Sequence, residues 1–324
     1  MNLCDIETIR AVLGRHGFHF SKSLGQNFLV NDAVIANICK LSEVCEEDNV
    51  LEVGPGIGTL TVALLPRAKH VLSIERDPDL PAVLDETCDD FDNFTLIGKD
   101  ALRLNDDDLI AAFGKQTVEA SEAPNKFISN LPYAVAATLV LDYFQRIPSL
   151  QSATVMVQSE VADRMEAVVG TKDYAAYSVK LQLIAKATGR FQVSPGNFFP
   201  PPRVDSAVIR LNRRVPLMAD GAPASPEVIA AAALMADAAF TNRRKTIANS
   251  CKTYFSGRGP ISLGAGPSAQ EGAPGIVLPD GAAIAERLAA IFDAATIDPR
   301  RRGETLTQQE FLALGAALLK VTAA

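Results

Sequence analysis

The chain has 324 residues, 48% of them hydrophobic, with 31 Lys/Arg against 38 Asp/Glu and a formal net charge of −7. That is enough chain for one large α/β domain and a smaller companion, and no apolar run reaches membrane-spanning length. Five scattered cysteines (Cys4, Cys39, Cys45, Cys88, Cys251) suit neither a disulfide framework nor a zinc site, and the N-terminus has neither a signal-peptide nor a transit-peptide pattern, so a reduced, cytoplasmic, metal-free protein is expected.

Asp5 to Leu13 carries Ile6, Ile9, Val12 and Leu13 at helical spacing and stops at Gly14 and Gly17, which predicts a short amphipathic helix. Ser21 to Leu29 is polar and irregular and reads as a linker when taken alone. Asn31 and Asp32 then cap a helix with Val34, Ile35, Ile38 and Leu41 on one face. Val50-Leu51-Glu52-Val53 is a short buried strand that runs into Gly54-Pro55-Gly56-Ile57-Gly58 and a helix over Leu60 to Leu65. Such a turn lets backbone approach a ligand closely and offers free helix N–H groups. The strand His70 to Ile74 ends in Glu75, and Pro78 is expected to open the next helix. A carboxylate at a strand tip suits the two hydroxyls of a ribose. Phe94 to Ile97 makes a third strand followed by Asp100, placed to accept from an adenine amino group, and Phe127 to Ser129 makes a fourth that ends at Asn130. Four successive strands thus deliver a ligand group at their carboxyl ends, where an open parallel sheet binds.

The spacing Gly-x-Gly-x-Gly is not the Gly-x-Gly-x-x-Gly of dinucleotide enzymes, and none of the three histidines (His16, His19, His70) stands where a proton relay would. S-adenosylmethionine, which has no pyrophosphate, fits better: Glu75 and Asp100 on its adenosine, the glycine turn near its methionine end. Asn130-Leu131-Pro132-Tyr133 then reads as the place of methyl transfer to adenine. The adenine amino lone pair is delocalised, so the site must hold both N–H bonds, one on the Asn130 side-chain carbonyl and one on a main-chain carbonyl near Leu131-Pro132. Tyr133 offers a face for the extruded base.

The combination of Ser23-Leu24-Gly25-Gln26-Asn27-Phe28-Leu29, Glu52 to Gly58, Ile74-Glu75-Arg76-Asp77, Asp100-Ala101 and Asn130 to Tyr133 resembles the KsgA family of ribosomal RNA adenine dimethyltransferases. Gln158 to Arg164, Pro195 to Ser206, Phe240 to Thr246 and Arg301 to Leu306 match the same family. The resemblance implies a Rossmann-like S-adenosylmethionine-dependent methyltransferase domain with a mainly parallel seven-stranded sheet, plus a smaller all-α C-terminal domain. It implies dimethylation of N6 on two adjacent adenosines in the 3′-terminal hairpin of 16S rRNA, within the small subunit or its precursor, by a monomer. It also implies cofactor contacts from Gln26, Asn27, Leu29, Gly54, Gly56, Glu75, Asp100, Ala101 and Asn130, an acceptor pocket of Asn130, Leu131, Pro132 and Tyr133, and an aromatic beside the target base. Phe198 and Phe199 are the candidates for that aromatic, although each could equally anchor its loop in the core. Some proteins of this kind bind RNA without methylating it, so a non-catalytic ribosome-assembly factor is the alternative reading.

From Arg203 onward there are 14 Lys/Arg against 11 Asp/Glu, so the acidity lies in the N-terminal part and any RNA-facing surface is local. Arg203, Arg243-Arg244-Lys245 and Arg300-Arg301 are the candidates for phosphate contact. The predicted division is 1–214 for the methyltransferase domain and 215–324 for the RNA-binding domain, which opens with a helix over Pro226 to Ala239. A Gly/Pro-rich stretch near 256–281 reads as a flexible loop where the chain departs from the family.

Overall fold

The computed structural model describes residues 1–18, 26–112, 123–259, 261–263, 275–276 and 282–323. Ser23-Leu24-Gly25 and His19 lie outside the described residues, as do 260, 264–274 and 277–281 of the Gly/Pro-rich stretch. Within that stretch, Ile261–Ser262 and Gly275–Ile276 pair antiparallel, so these four residues form a ribbon and not a loop.

In chain order the strands that shape the first part of the molecule are β1 (Phe28–Leu29), β2 (Asn49–Val53), β3 (His70–Glu75), β4 (Phe94–Gly98), β5 (Lys126–Asn130), β6 (Ser152–Gln158), β7 (Ala185–Val193), β8 (Phe198–Phe199) and β9 (Ser206–Arg213). Seven of these form one sheet in the order β4-β3-β2-β5-β6-β9-β7. β2 pairs parallel with β3 and β5, β3 with β4 and β5 with β6, while β9 runs antiparallel to β6. This is the mainly parallel seven-stranded sheet that the family resemblance implies. β2 is buried at every position, as a parallel strand covered on both faces must be, and its run Val50, Leu51, Val53 supplies the apolar surface.

Chain order reverses at β2: β3 lies on one side of it and β5 on the other, which opens a crevice at the carboxyl ends of these strands. Two helices fix the chain around that crevice. In Asp32–Ser42, Asn31 caps the first turn by accepting the N–H groups of Ala33 and Val34, and Ile35 and Ile38 pack with Leu60, Leu64 and Val71. In Ile6–Arg15, Asp5 is the cap, and Ile9, Val12 and Leu13 join Phe28, Ile57, Leu80 and Val83 in a second cluster. That second cluster holds the segment around Phe28 against the glycine turn; each fully buried Leu or Ile contributes roughly 1.5–3 kcal/mol.

One boundary differs from expectation. The helix after β3 is Pro81–Thr87, with Pro81 and not Pro78 in its first turn. Residues 77–80 form a turn instead, in which Asp77 accepts the Asp79 N–H on its side chain at 3.0 Å and the Leu80 N–H on its main chain at 3.3 Å.

The chain forms two compact units, Met1–Ala162 with Ala187–Arg213, and Asp163–Lys186 with Arg214–Ala324. The second unit therefore takes in 163–186, a segment that a division into 1–214 and 215–324 assigns to the first. Long-range packing explains this. The helix Ala176–Ile184 packs on Pro226–Phe240. Tyr174 sets its ring edge-on to Phe240 at 6.0 Å and donates its buried hydroxyl to the Leu306 carbonyl at 2.9 Å. Gln308 reaches Gln182 at 2.6 Å. Among the described residues no helix is long and apolar enough to cross a membrane.

Candidate active site

The glycine turn after β2 is built from left-handed backbone. Gly54 has φ 69° and Gly56 φ 60°, conformations that cost an L side chain about 1–2 kcal/mol. A Cβ at Gly56 would stand 2.9 Å from the Phe28 ring, and one at Gly54 3.4 Å from Pro132 Cγ. These glycines thus let the turn approach the Phe28 segment on one side and the Asn130 to Tyr133 tetrapeptide on the other.

Between them lies a cleft of ≈ 1180 Å³, open solvent at its mouth included. Gln26, Asn27, Leu29, Gly54, Gly56, Glu75, Asp100, Ala101 and Asn130 all line it, and so do Leu131, Pro132 and Tyr133. The sequence segments are far apart; the carboxyl edge of the sheet brings them together.

Glu75 ends β3 with only 8% of its surface exposed, and its carboxylate accepts the Asp77 N–H at 2.9 Å. Burial raises its pKa above the ordinary carboxylate value, while the N–H groups of Asp77, Arg76 and Gly56 act against that rise. A buried carboxylate in this state gains from further donors, and a vicinal diol supplies two. Glu52 lies deeper, 1% exposed, and accepts the hydroxyls of Ser73 at 2.7 Å and Thr61 at 2.8 Å. Burial pushes it up to about 7, the two hydroxyls oppose the shift, and the Glu75 charge adds to it. Desolvation therefore outweighs the hydrogen bonds at both carboxyls. Thr59 is 6% exposed, lines the cleft, and its Oγ1 has no partner among the described residues.

Asp100 follows β4, accepts the Leu102 N–H on one oxygen at 3.0 Å and stands 4.0 Å from Arg76 with the other. Gln26 is tied down by its amide, which donates to the buried Asp77 at 2.5 Å. That bond fixes the start of the segment that runs through Asn27 to Leu29 along the cleft.

At the end of β5, the Asn130 side-chain N–H donates to the Asn27 carbonyl at 3.4 Å, leaving Oδ1 as the amide atom able to accept. The Pro132 carbonyl accepts the Val135 N–H at 3.1 Å, and the Leu131 N–H donates to Met156 at 3.1 Å. One main-chain carbonyl near Leu131-Pro132 is expected to accept a substrate N–H; Pro132's is used by this turn and Leu131's is not. The Tyr133 hydroxyl meets Ser206 Oγ at 2.6 Å. Burial raises the Tyr133 pKa, with the Ser206 bond acting against the rise.

Not every candidate residue joins this cleft. Phe198 is 4% exposed and packs with Leu29, Ile35 and Met156, so of its two readings the structure places it as a core anchor. Phe199 sits opposite Phe28 in the β1–β8 ribbon, half-buried, with the Arg10 guanidinium 5.3 Å from its ring centre. Arg203 is exposed in the loop before β9. In the second unit Arg243 pairs with Glu304 at 2.7 Å and also donates to the Thr171 and Lys172 carbonyls. Arg301 pairs with Glu310, and Arg300 with Asp298 at 3.0 Å. Arg244 and Lys245 are exposed. A run of adjacent cations in sequence is therefore not a run of equivalent ones in space.

Glu52, Thr59, Asp77 and Ser206 lie in or against the cleft as well, although no sequence motif assigns them a role. For Glu52 a signal existed, a carboxylate in the middle of an otherwise apolar strand; for Asp77 and Ser206 the partner residues lie 51 and 73 positions away, out of reach of any local pattern.

A family model described as ribosomal RNA adenine dimethylase matches residues 17–259 of this chain. Among curated relatives, the ribosomal RNA small subunit methyltransferase A of Clostridium botulinum (strain Okra / Type B1) is 35% identical over 306 residues, 93% of this chain and 95% of that protein. The protein of the same name from Clostridium perfringens (strain SM101 / Type A) is 36% identical over 316 residues, 98% of this chain and 96% of the other. Among solved structures, a dimethyladenosine transferase from Plasmodium falciparum shares the fold with a TM-score of 0.66 at 20% identity, over 91% of this chain and 98% of that one.

Proposed function

Because this chain belongs to the ribosomal RNA adenine dimethylase family, we propose that it acts on 16S rRNA in the small ribosomal subunit, dimethylating N6 of two adjacent adenosines in the 3′-terminal hairpin. The activity itself is that of the family, S-adenosylmethionine-dependent N6,N6-dimethylation of adenine in ribosomal RNA. The relatives' names carry the words small subunit, which supports the 16S assignment. A cytoplasmic monomer is the state we assign to the enzyme.

The observation that carries the reading is the convergence of Glu75, Asp100, Asn130 and Tyr133 on one cleft beside a glycine turn. The residues fit S-adenosylmethionine. Two carboxylates on neighbouring strand ends match a ribose and an adenine amino group, Gly54 and Gly56 bring bare backbone to the cleft wall beside Pro132 and Phe28, and the Thr59 hydroxyl, unpartnered among the described residues, adds a polar contact. When bound, the cofactor supplies an electrophilic methyl group. The protein's part is orientation. Asn130 Oδ1 and the Leu131 carbonyl each accept one N–H of the target amine and turn its lone pair outward. Tyr133 stacks on the base, with Leu131 and Pro132 closing the pocket edge. No side-chain base is required, because the alkylated nitrogen is acidic enough to release its proton to water.

Gln26, Asn27, Leu29 and Ala101 complete the cofactor wall in this reading, and Arg203, Arg244 and Lys245 are the cations offered to phosphate. The test is to supply labelled cofactor to small and large subunits from a strain lacking the modification, then map the product. Label confined to the two hairpin adenosines of 16S rRNA supports the assignment; label in 23S rRNA overturns it. Binding to the small subunit with no label would move the protein to the assembly-factor reading.

A further inference from the structure

Any aromatic face stacks on a base, so a stacking role alone does not explain why residue 133 carries a hydroxyl. The structure shows where that hydroxyl goes. It lies 2.6 Å from Oγ of Ser206, a fully buried residue that begins β9. Ser206 stands opposite Gln158 in the β6–β9 pair, and the preceding Asp205 carbonyl accepts the Ser159 N–H at 3.0 Å. Asn130 in turn stands opposite Met156 in the β5–β6 pair. The ring is therefore held at both ends, its Cβ by the turn that leaves β5 and its oxygen by a strand two places away in the same sheet.

We propose that Ser206 is a positioning residue for methyl transfer, which fixes the Tyr133 ring in the plane on which the target adenine stacks. This rests on the reading of Tyr133 as the base platform. Holding the phenol oxygen blocks the χ1 swings that would tilt the ring, so the stacked base keeps its amine aimed between Asn130 Oδ1 and the Leu131 carbonyl. The hydroxyl is committed to the scaffold and takes no part in proton transfer. The same bond assigns a task to the end of the Pro200-Pro201-Pro202-Arg203-Val204-Asp205-Ser206 stretch, whose first residues do not line the cleft.

The test is a double-mutant cycle on the full-length enzyme with small-subunit substrate, using Tyr133→Phe, Ser206→Ala and the pair. Each single change should lower kcat about fivefold, the worth of one hydrogen bond, with KM for the subunit and Kd for S-adenosylmethionine within about twofold of the parent. The double variant should be no slower than the slower single one. Multiplying losses, or a loss that falls on KM, would overturn the proposal. If Ser206→Ala fails to fold, Tyr133→Phe examines the same bond from its other end. Tyr133→Ala separates the two levels: unimpaired transfer in it removes the platform reading itself. Loss of transfer in Tyr133→Ala, with parental rates in Tyr133→Phe and Ser206→Ala, removes only the positioning role.

Discussion

The Asn130 side chain donates to the main-chain carbonyl of Asn27, 103 positions earlier in the chain, at 3.4 Å. This hydrogen bond orients an amide that has two unlike ends. With its N–H turned to Asn27, its oxygen is the end free to accept, and the segment that carries Gln26, Asn27 and Leu29 is tied to the Asn130 end of the cleft that it lines; in the proposed function that segment serves both the acceptor site and the cofactor wall.

A division of roles follows between Glu75 and Asn130. Glu75→Ala removes a buried carboxylate from the proposed ribose position, so cofactor Kd should rise at least about tenfold, since a charge-assisted hydrogen bond contributes roughly 1.5–3 kcal/mol. Asn130→Ala should lower the transfer rate constant about a hundredfold and move cofactor Kd far less. Isothermal titration and single-turnover kinetics separate the two. Equal loss of subunit affinity in both variants would contradict the division.

Glu52 makes stability depend on pH in a direction opposite to that of a salt-bridged acid. Its folded pKa of about 7 lies above the ordinary value of 4.5, so the folded state holds a proton that the unfolded chain has released between those values. Its contribution is fully present below about pH 4.5 and is lost as pH rises toward 7. Glu52→Gln, which keeps an oxygen for Ser73 and Thr61, should raise stability above pH 7 by up to about 3 kcal/mol and flatten the slope between those pH values. Melting temperature against pH for both proteins measures this. Parallel curves would show that Glu52 is ionised in the folded state.

Gly56→Ala places a Cβ 2.9 Å from the Phe28 ring at a φ of 60°. Strain of about 1–2 kcal/mol and displacement of the Phe28 segment should together weaken cofactor binding by about tenfold or more. Gly14→Ala is the control, because a Cβ there meets nothing within 4 Å. Equal affinity in the two variants would show that close approach at Gly56 does not matter to the cofactor.

The adjacent cations of the second unit should behave differently from one another. Arg243→Ala breaks the Glu304 pair and two hydrogen bonds to main-chain carbonyls, and should cost about 1 kcal/mol of stability at this partly exposed position. Arg244→Ala with Lys245→Ala should leave the melting temperature unchanged and make subunit binding less salt-dependent, by about 0.7–0.9 in the log–log slope for each phosphate that the protein no longer neutralises. An unchanged slope removes both from the RNA interface.

Much of the fold was legible in the sequence because it is locally encoded. β2 is an apolar run followed by glycines, and the caps Asp5 and Asn31 sit directly before periodic helices. The cleft was legible for a related reason: in a parallel sheet the residue after each strand lies on one edge, so Glu75, Asp100 and Asn130 meet there without knowledge of any tertiary pairing. What remained hidden depends on tertiary choice. Phe198 had equal claims to the core and to the site until its neighbours were known. Arg243 and Arg244 are equivalent in a charge count and differ because Glu304, 61 positions after Arg243, reaches only the first. Pro78 reads as the helix opener in sequence, but the Asp77 turn takes up 77–80 and the helix starts at Pro81.

The most direct measurement is nucleoside mass spectrometry of 16S rRNA after incubation of unmodified small subunits with the enzyme and S-adenosylmethionine. N6,N6-dimethyladenosine is expected with the native protein and none with Asn130→Ala. Dimethyladenosine formed at the native rate by Asn130→Ala, or none formed by the native protein, would contradict the proposed function.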